Sequence, residues 1–486
     1  MAKFYDTLLG EYIKNPGQKK IGLDSLALNY FNYKMITYDE ITGKGKINFR
    51  DVPLSQASVY SGEDVYMTHK IYEKQKQEKI NENKVLQEIE IPLLEVLKDM
   101  EITGVKIQRD KLKEIGIMLE NETQRLEKEI YHLAGEDFNI SSPKQVGEIL
   151  FSKLGLQATK KTKTGFSVDS DVLQSLAHKF PIAQNIIDFR HYKKLLSTYV
   201  EGLIKELDEN DIIHTNYNQT VTTTGRLSST NPNLQNIPIG EGIAGEIRTA
   251  FIPYKEEDFI LAFDYSQVEV RILALMSGDE NLISAFQNGI DIHYNTAKFI
   301  FGKENISVYE RKIAKTVNFG VIYGISPFGL SEMLGISRSD AKNYIDKFYE
   351  NYPKVSNFFD AIIKSCEENG YVETIFGRKR YINGINDKNR IIKQSAEREA
   401  INMPIQGTSA DVIKIAMIQI HNFLKEGNYK TKLIMQVHDE LVFDLVSEEK
   451  EKIIPEIQKI MENILPNKNI KLLVEWNIGK NWKEAK

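Results

Sequence analysis

Cysteine is almost missing: the 486-residue chain has one, Cys366. A lone thiol can neither close an internal disulfide nor make a zinc site by itself, so the fold must be held by packing, as in a reducing intracellular setting. Long apolar runs are missing as well. No stretch is long enough to span a bilayer, and the opening MAKFYDTLLGEY has no signal-peptide core, so no membrane partner is expected. Internal repeats and low-complexity tracts are absent. An excess of positive charge is absent too, the net charge being −5. Bulk charge therefore gives no sign of a polyanionic partner, and only a local concentration could.

What is present is material for several cores. Hydrophobic residues make up 41% and charged residues 27%, which excludes a disordered chain. The length is about three times that of a typical domain. Positive charge is indeed concentrated locally. Lys144, Lys153, Lys160, Lys161 and Lys163 face the single acid Glu148 between Asn139 and Gly165. A second basic stretch holds Arg378, Lys379, Arg380, Lys388, Arg390 and Lys393. Each is either a solvated surface or a track for a phosphate backbone.

Periodicity divides the chain. Residues 1 to about 80 alternate short helical patterns with turns at Asn15-Pro16-Gly17 and Gly43-Lys44-Gly45. From Asn81 to Leu133 the pattern is long and helical, with stripes at Leu93, Leu94 and Leu97 and at Leu112, Ile115 and Leu119. Gly104 between them predicts an antiparallel helix pair. A helix-loop region follows, then a helix to about Leu207, then a polar stretch from Ile212 to Ile239. Phe259-Ile260-Leu261-Ala262-Phe263 reads as a strand ending at Asp264. Lys432 to Leu445 reads as a β-hairpin with His438-Asp439-Glu440 at its turn. Between these two strand regions almost everything reads as helix.

Three segments carry chemistry. Asp264 ends a buried strand just before a helix, where a charge is costly unless it caps that helix or meets a cation. Arg311, Lys315, Phe319 and Tyr323 recur every fourth residue, on one slowly drifting helical face. Two cations followed by two aromatics suit a nucleoside triphosphate, although cations also snorkel over ordinary cores. Asp439 and Glu440 are adjacent acids at a tight turn, which is either a polar turn or a cation site. If the two strand regions pair, Asp264 and Asp439 converge. Phosphoryl transfer needs such a pair, to hold two magnesium ions about 4 Å apart.

These three segments resemble motifs A, B and C of family A DNA polymerases, the bacterial polymerase I type. Further matches are Thr224-Gly225-Arg226-Leu227-Ser228-Ser229, Asn233-Leu234-Gln235-Asn236-Ile237-Pro238, Asp291-Ile292-His293, Glu397 to Thr408, and the ending Asn481-Trp482-Lys483-Glu484-Ala485. From about Leu86 onward the similarity is continuous. It implies an α+β right-hand polymerase fold, with an antiparallel palm sheet and helical fingers and thumb, preceded by a partial α/β exonuclease-like segment. The implied boundaries are 1–80 for that segment, 81–210 for the thumb with a leading palm helix, 211–290 for palm, 291–400 for fingers and 401–486 for palm again.

The resemblance also implies roles. Asp264, Asp439 and the Tyr265 carbonyl would hold two Mg2+ ions, which Mn2+ could replace, with Glu440 in support. Arg311, Lys315 and His293 would hold the triphosphate, and Lys315 would also serve as general acid. Phe319 would stack on the incoming base and sugar. Tyr323 would fill the insertion pocket until the fingers close, and Glu269, near Gln267 in the nucleotide site, would exclude a 2′-hydroxyl. Arg226, Gln235, Asn236, Arg398, Asn402, Gln406 and His438 would contact primer-template, some by reading minor-groove acceptors common to all correct pairs. Lys144 would grip duplex backbone at the thumb tip.

The implied partners are a DNA primer-template and dNTPs. The implied setting is a cytoplasmic, nucleoid-associated monomer. Tyr60-Ser61-Gly62-Glu63-Asp64 matches only the last motif of the family's 3′→5′ exonuclease. With one usual carboxylate that segment is expected to be inactive, and no 5′-nuclease domain is recognised. The rival readings are a single-subunit RNA polymerase and an inactive accessory protein that only binds primer-template.

Overall fold

The apolar run expected as a strand is nearly continuous because both of its faces are covered. In the computed structural model, which describes residues 4–18, 20–157, 161–162, 165–466 and 470–486, it forms β1 (Phe259–Ser266). The expected hairpin supplies β2 (Lys432–Val437) and β3 (Glu440–Leu445), and β4 (Leu473–Gly479) completes the sheet. The order is β2-β3-β1-β4, with every neighbouring pair antiparallel. Leu261, Phe263 and Tyr265 face one core with Leu441 and Phe443. Ile260 and Ala262 face a second core with Met435, Val437 and Val442. Asp264 follows Ala262 on that second face, at the end of the strand. A register shift between Leu433 and Met435 splits the alternating apolar residues of β2, so Leu433 joins the first core and Met435 the second.

The helix pair expected around Gly104 is corrected. α1 (Ile91–Thr103) sends Leu93 and Leu97 to the first core. α2 (Arg109–Ala134) sends Leu112, Ile115 and Leu119 to the second. Gly104, at φ +70°, turns the chain into a short strand, Val105–Lys106, that pairs with Ile212–Ile213. A Cβ there would lie 2.7 Å from the Ile213 carbonyl oxygen, so only glycine fits. The far end of α2 builds a separate third core with α3 (Pro181–Lys194), through Leu126 and Ile130 against Ile186 and Phe189.

Between β1 and β2 the chain is helical apart from a small hairpin, Tyr371–Glu373 with Lys379–Tyr381. The elements that matter for the site are α4 (Val268–Ser277), α5 (Val308–Ile322) and the 37-residue α6 (Arg390–Glu426). The described part of residues 1–80 shows the helices of the expected α/β unit without strands. It docks through Tyr12, whose buried hydroxyl donates to the Thr222 carbonyl at 2.8 Å.

The second basic stretch is not one surface. Arg378 is buried with Glu90, Asp411 and Lys414. It pairs with Glu90, and its Nε donates to Asp411 Oδ1 at 2.8 Å. Lys414 donates to the same Glu90 carboxylate at 2.7 Å. Burial alone would raise the Glu90 pKa, but Lys414 and Arg378 outweigh it and hold it low. In the first lysine cluster, Lys144 is exposed on the short helix Pro143–Gly147 that Ser142 caps. Lys160 and Lys163 lie outside the described residues, as does the Lys161 side chain. Among the described residues no helix is long and apolar enough to cross a membrane.

Candidate active site

Sheet pairing brings the acids together. β3 runs against β1 so that Glu440 lies opposite Asp264. The two-residue turn between β2 and β3 needs a left-handed residue, and His438 supplies it at φ +54°. The Tyr265 N–H then donates to the Asp439 carbonyl at 3.2 Å, stitching that turn to the end of β1. The Tyr265 ring points the other way, into the first core, with its hydroxyl on the Met461 carbonyl at 2.9 Å.

The electrostatics of this corner favour a cation. Burial pushes the Asp264 carboxyl up to about 6; Lys486 offsets part of this, and Glu440 and Asp439 add repulsion. Burial raises Asp439 as well, against a lowering by Arg226. Asp439 Oδ1 is buried without a hydrogen-bond partner. An orphaned carboxylate oxygen is a costly state that a metal ion would relieve. Glu440 is differently placed. Trp482 Nε1–H donates to its Oε1 and Lys486 Nζ to its Oε2, each at 2.6 Å. It backs Asp264 and has no free oxygen to offer. Among the described residues no three His, Cys, Asp or Glu side chains cluster as a metal site. The carboxylates left to meet a cation at this corner are those of Asp264 and Asp439.

The helix face predicted from the fourfold spacing is present on α5. Ser307 and Glu310 form a capping box at its start. Lys315, Phe319 and Tyr323 line an open pocket of about 740 Å³, together with Gly320 and Arg398. Arg311, one turn before Lys315 on α5, is held by Asp291, its Nε donating to Asp291 Oδ2 at 2.7 Å. Asp291 Oδ1 in turn caps the helix carrying His293. His293 is only 2% exposed. Its Nδ1 lies 2.8 Å from the Asn318 amide, and its ring centroid is 5.7 Å from that of Phe319. Burial lowers its pKa to about 4, with Arg311 and Lys315 adding to the effect against Asp291. The imidazole expected on a triphosphate is thus neutral and packed beneath the helix face.

Glu269 is clamped. Gln267, at φ +55°, turns the chain from β1 into α4 and brings Glu269 into the first turn of that helix. The carboxylate is 4% exposed and accepts from Arg226 Nη2 at 2.6 Å and from the Tyr323 hydroxyl at 2.8 Å. Tyr323 therefore bridges α5 to the residue expected to sense the sugar.

Beside this corner is a small depression lined by Arg226, Gln235, Gln436 and His438. Gln235 Nε2 donates to Gln436 Oε1 at 2.9 Å, and Gln436 Nε2 donates to the His438 carbonyl at 2.5 Å. Asn236 is exposed next to Gln235. Arg398, Asn402 and Gln406 form a row along one side of α6, four residues apart. The Asn402 amide nitrogen is buried and unpartnered. Lys144 stands apart, 4.0 Å from Glu148. The partners that sequence reasoning did not single out are Asp291 as the clamp on Arg311, Asn318 on His293, Gln436 under the turn, and Trp482 and Lys486 on Glu440. All are long-range contacts except the Gln436 bond to the His438 carbonyl.

A family model described as DNA polymerase family A matches residues 109–484, and one described as 3′-5′ exonuclease matches residues 1–80. DNA polymerase I of Lactococcus lactis subsp. lactis is 48% identical over 405 residues, 83% of this chain and 46% of that one. DNA polymerase I of Bacillus subtilis is 43% identical over 491 residues, 99% of this chain and 55% of that one. The chain spans about half the length of the curated relatives it matches. Among solved structures, the POL domain of Pol1 from M. smegmatis, in complex with DNA primer-template and dNTP, superposes with a TM-score of 0.90. It is 32% identical, and the match covers 99% of this chain and 82% of that one. The expected α+β right-hand polymerase fold is thus the fold found, and the chain belongs to DNA polymerase family A.

Proposed function

We propose that this chain is a template-directed DNA polymerase, a nucleotidyltransferase that joins dNTPs to a primer 3′-hydroxyl. The observation that carries the reading is the convergence of Asp264 and Asp439 beside the Tyr323–Glu269 bridge. Asp264, Asp439 and the Tyr265 carbonyl would hold two Mg2+ ions, with Mn2+ as a substitute; the orphaned Asp439 oxygen fits that use. When bound, such ions activate the 3′-hydroxyl and neutralise the leaving pyrophosphate.

The chain's own groups supply the rest. Arg311 leaves Asp291 for the phosphates, and Lys315 binds them and protonates the pyrophosphate. Phe319 stacks on the nucleotide, and His293 supports that face. Tyr323 gives up the insertion pocket as α5 swings in, its hydroxyl staying on Glu269, which closes the space where a 2′-hydroxyl would sit. Gln267 sets the turn that aims Glu269, and Glu440 keeps Asp264 in place. Arg226, Gln235, Asn236, Arg398, Asn402, Gln406 and His438 bind primer-template, and Lys144 holds duplex backbone. Residues 211–290 and 401–486 serve as palm, 291–400 as fingers and 81–210 as thumb. The chain works as a cytoplasmic, nucleoid-associated monomer.

Residues 1–80 are a structural remnant, and this segment does not proofread. Primer extension with dNTPs or rNTPs in parallel tests the proposal. Extension with dNTPs alone, without shortening of a mismatched primer, is expected. Extension with rNTPs would favour the RNA polymerase reading, and binding without extension the accessory one.

A further inference from the structure

We infer that Lys486 is a resident cation of the carboxylate corner, a positioning residue that sets how readily the corner takes a divalent ion. The inference rests on the metal reading above. Lys486 Nζ lies 2.6 Å from Glu440 Oε2 and 3.9 Å from Asp264 Oδ2. It reaches that position on an anchored tail. Trp482 is fully buried, its indole edge-on to Phe251 with centroids 5.2 Å apart. The Arg248 guanidinium covers that indole at 3.7 Å, and the backbone N–H of Trp482 donates to the Phe251 carbonyl at 3.0 Å. Lys483 pairs with Glu246 at 2.6 Å, and Ala485 is buried. The ammonium is therefore delivered to the acids by packing.

A fixed positive charge so close to Asp264 repels a dication and already meets part of the negative charge that would attract one. Without nucleotide, Lys486 holds ion occupancy down. A triphosphate brings several negative charges of its own and reverses that balance, so ions are taken up together with the nucleotide. Glu440, fixed by Trp482 on one oxygen and by Lys486 on the other, is the element through which the tail touches the site.

The test is Mn2+ titration of the full chain, without DNA or nucleotide, followed by the electron paramagnetic resonance signal of free Mn2+. Wild type, Lys486→Met, Lys486→Arg and Asp439→Asn are compared. Lys486→Met, which keeps the stem but not the charge, is expected to bind Mn2+ about fivefold more tightly, the size of a partly exposed charge interaction. Lys486→Arg should stay near wild type, and Asp439→Asn should bind least. Near-UV circular dichroism identifies any variant that has lost the Trp482 anchor. Unchanged or weaker Mn2+ binding in folded Lys486→Met overturns the inference while leaving the metal site standing. If wild type binds no better than Asp439→Asn, the metal reading falls and this inference with it.

Discussion

Replacing Glu269 with alanine is expected to admit ribonucleotides. The carboxylate is buried and receives two hydrogen bonds, from Arg226 at 2.6 Å and Tyr323 at 2.8 Å. Each runs to a carboxylate acceptor shielded from water, a class that contributes ~1.5–3 kcal/mol. With Glu269 as the proposed gate, a 2′-hydroxyl would enter only by shifting that carboxylate off both donors. Taking the lower value for each, because Arg226 is partly exposed, gives about 3 kcal/mol of discrimination, or about 150-fold at 1.36 kcal/mol per factor of ten. Tyr323→Phe removes one bond and leaves the other, so it should relax discrimination by only about tenfold. The assay is single-nucleotide incorporation on a matched template, read as the ratio of kcat/KM for dNTP to that for rNTP. Glu269→Ala should also lower dNTP efficiency, since Arg226 loses its partner. An unchanged ratio in Glu269→Ala would refute the assignment of the gate. A Tyr323→Phe effect as large as that of Glu269→Ala would refute the division between the two bonds.

Three other perturbations have defined outcomes. Phe319→Tyr, on the pocket face of α5, should increase dideoxynucleotide termination in a sequencing-type extension; no change would mean that Phe319 does not meet the sugar. His293 is buried neutral with its pKa lowered from 6.5 to about 4, so the unfolded chain binds the extra proton between those values. Stability from this group is complete above pH 6.5 and is lost as pH falls through about 4, up to ~3 kcal/mol; denaturant unfolding at pH 7.5 and pH 5, with His293→Gln as the control, reads the difference. Arg378→Met leaves Glu90 and Asp411 buried with too little positive charge, so unfolding should become easier by about 3–5 kcal/mol, while a loss below 1 kcal/mol would mean that water reaches the cluster.

Some of this was legible in the sequence because the signals are local. The apolar run ending at Asp264, the hairpin around Asp439 and the fourfold row from Arg311 to Tyr323 are all written within about fifteen residues. The structure has each of them where periodicity put it. The pairing of β3 with β1 joins segments far apart in the chain, and only the character of both as strands hinted at it. What was not legible depends on partners remote in sequence. Arg378 looked like part of a surface charge run, and its burial follows from Glu90, 288 residues away. Gly104 signalled a break correctly, but not that the two helices would serve different cores. The aromatic and amide neighbours that bury His293 come from α5. Lys486 carries no pattern at all, and its role follows from where Trp482 anchors the tail.

The most direct test of the account is single-turnover incorporation of one dNTP by Asp264→Asn and Asp439→Asn, alongside the affinity of each for primer-template. If the two acids form one metal site, each change should lower the incorporation rate by about a thousandfold or more while primer-template binding stays within a few-fold of wild type. Near-normal incorporation by either variant would contradict the shared site, and with it the proposed chemistry.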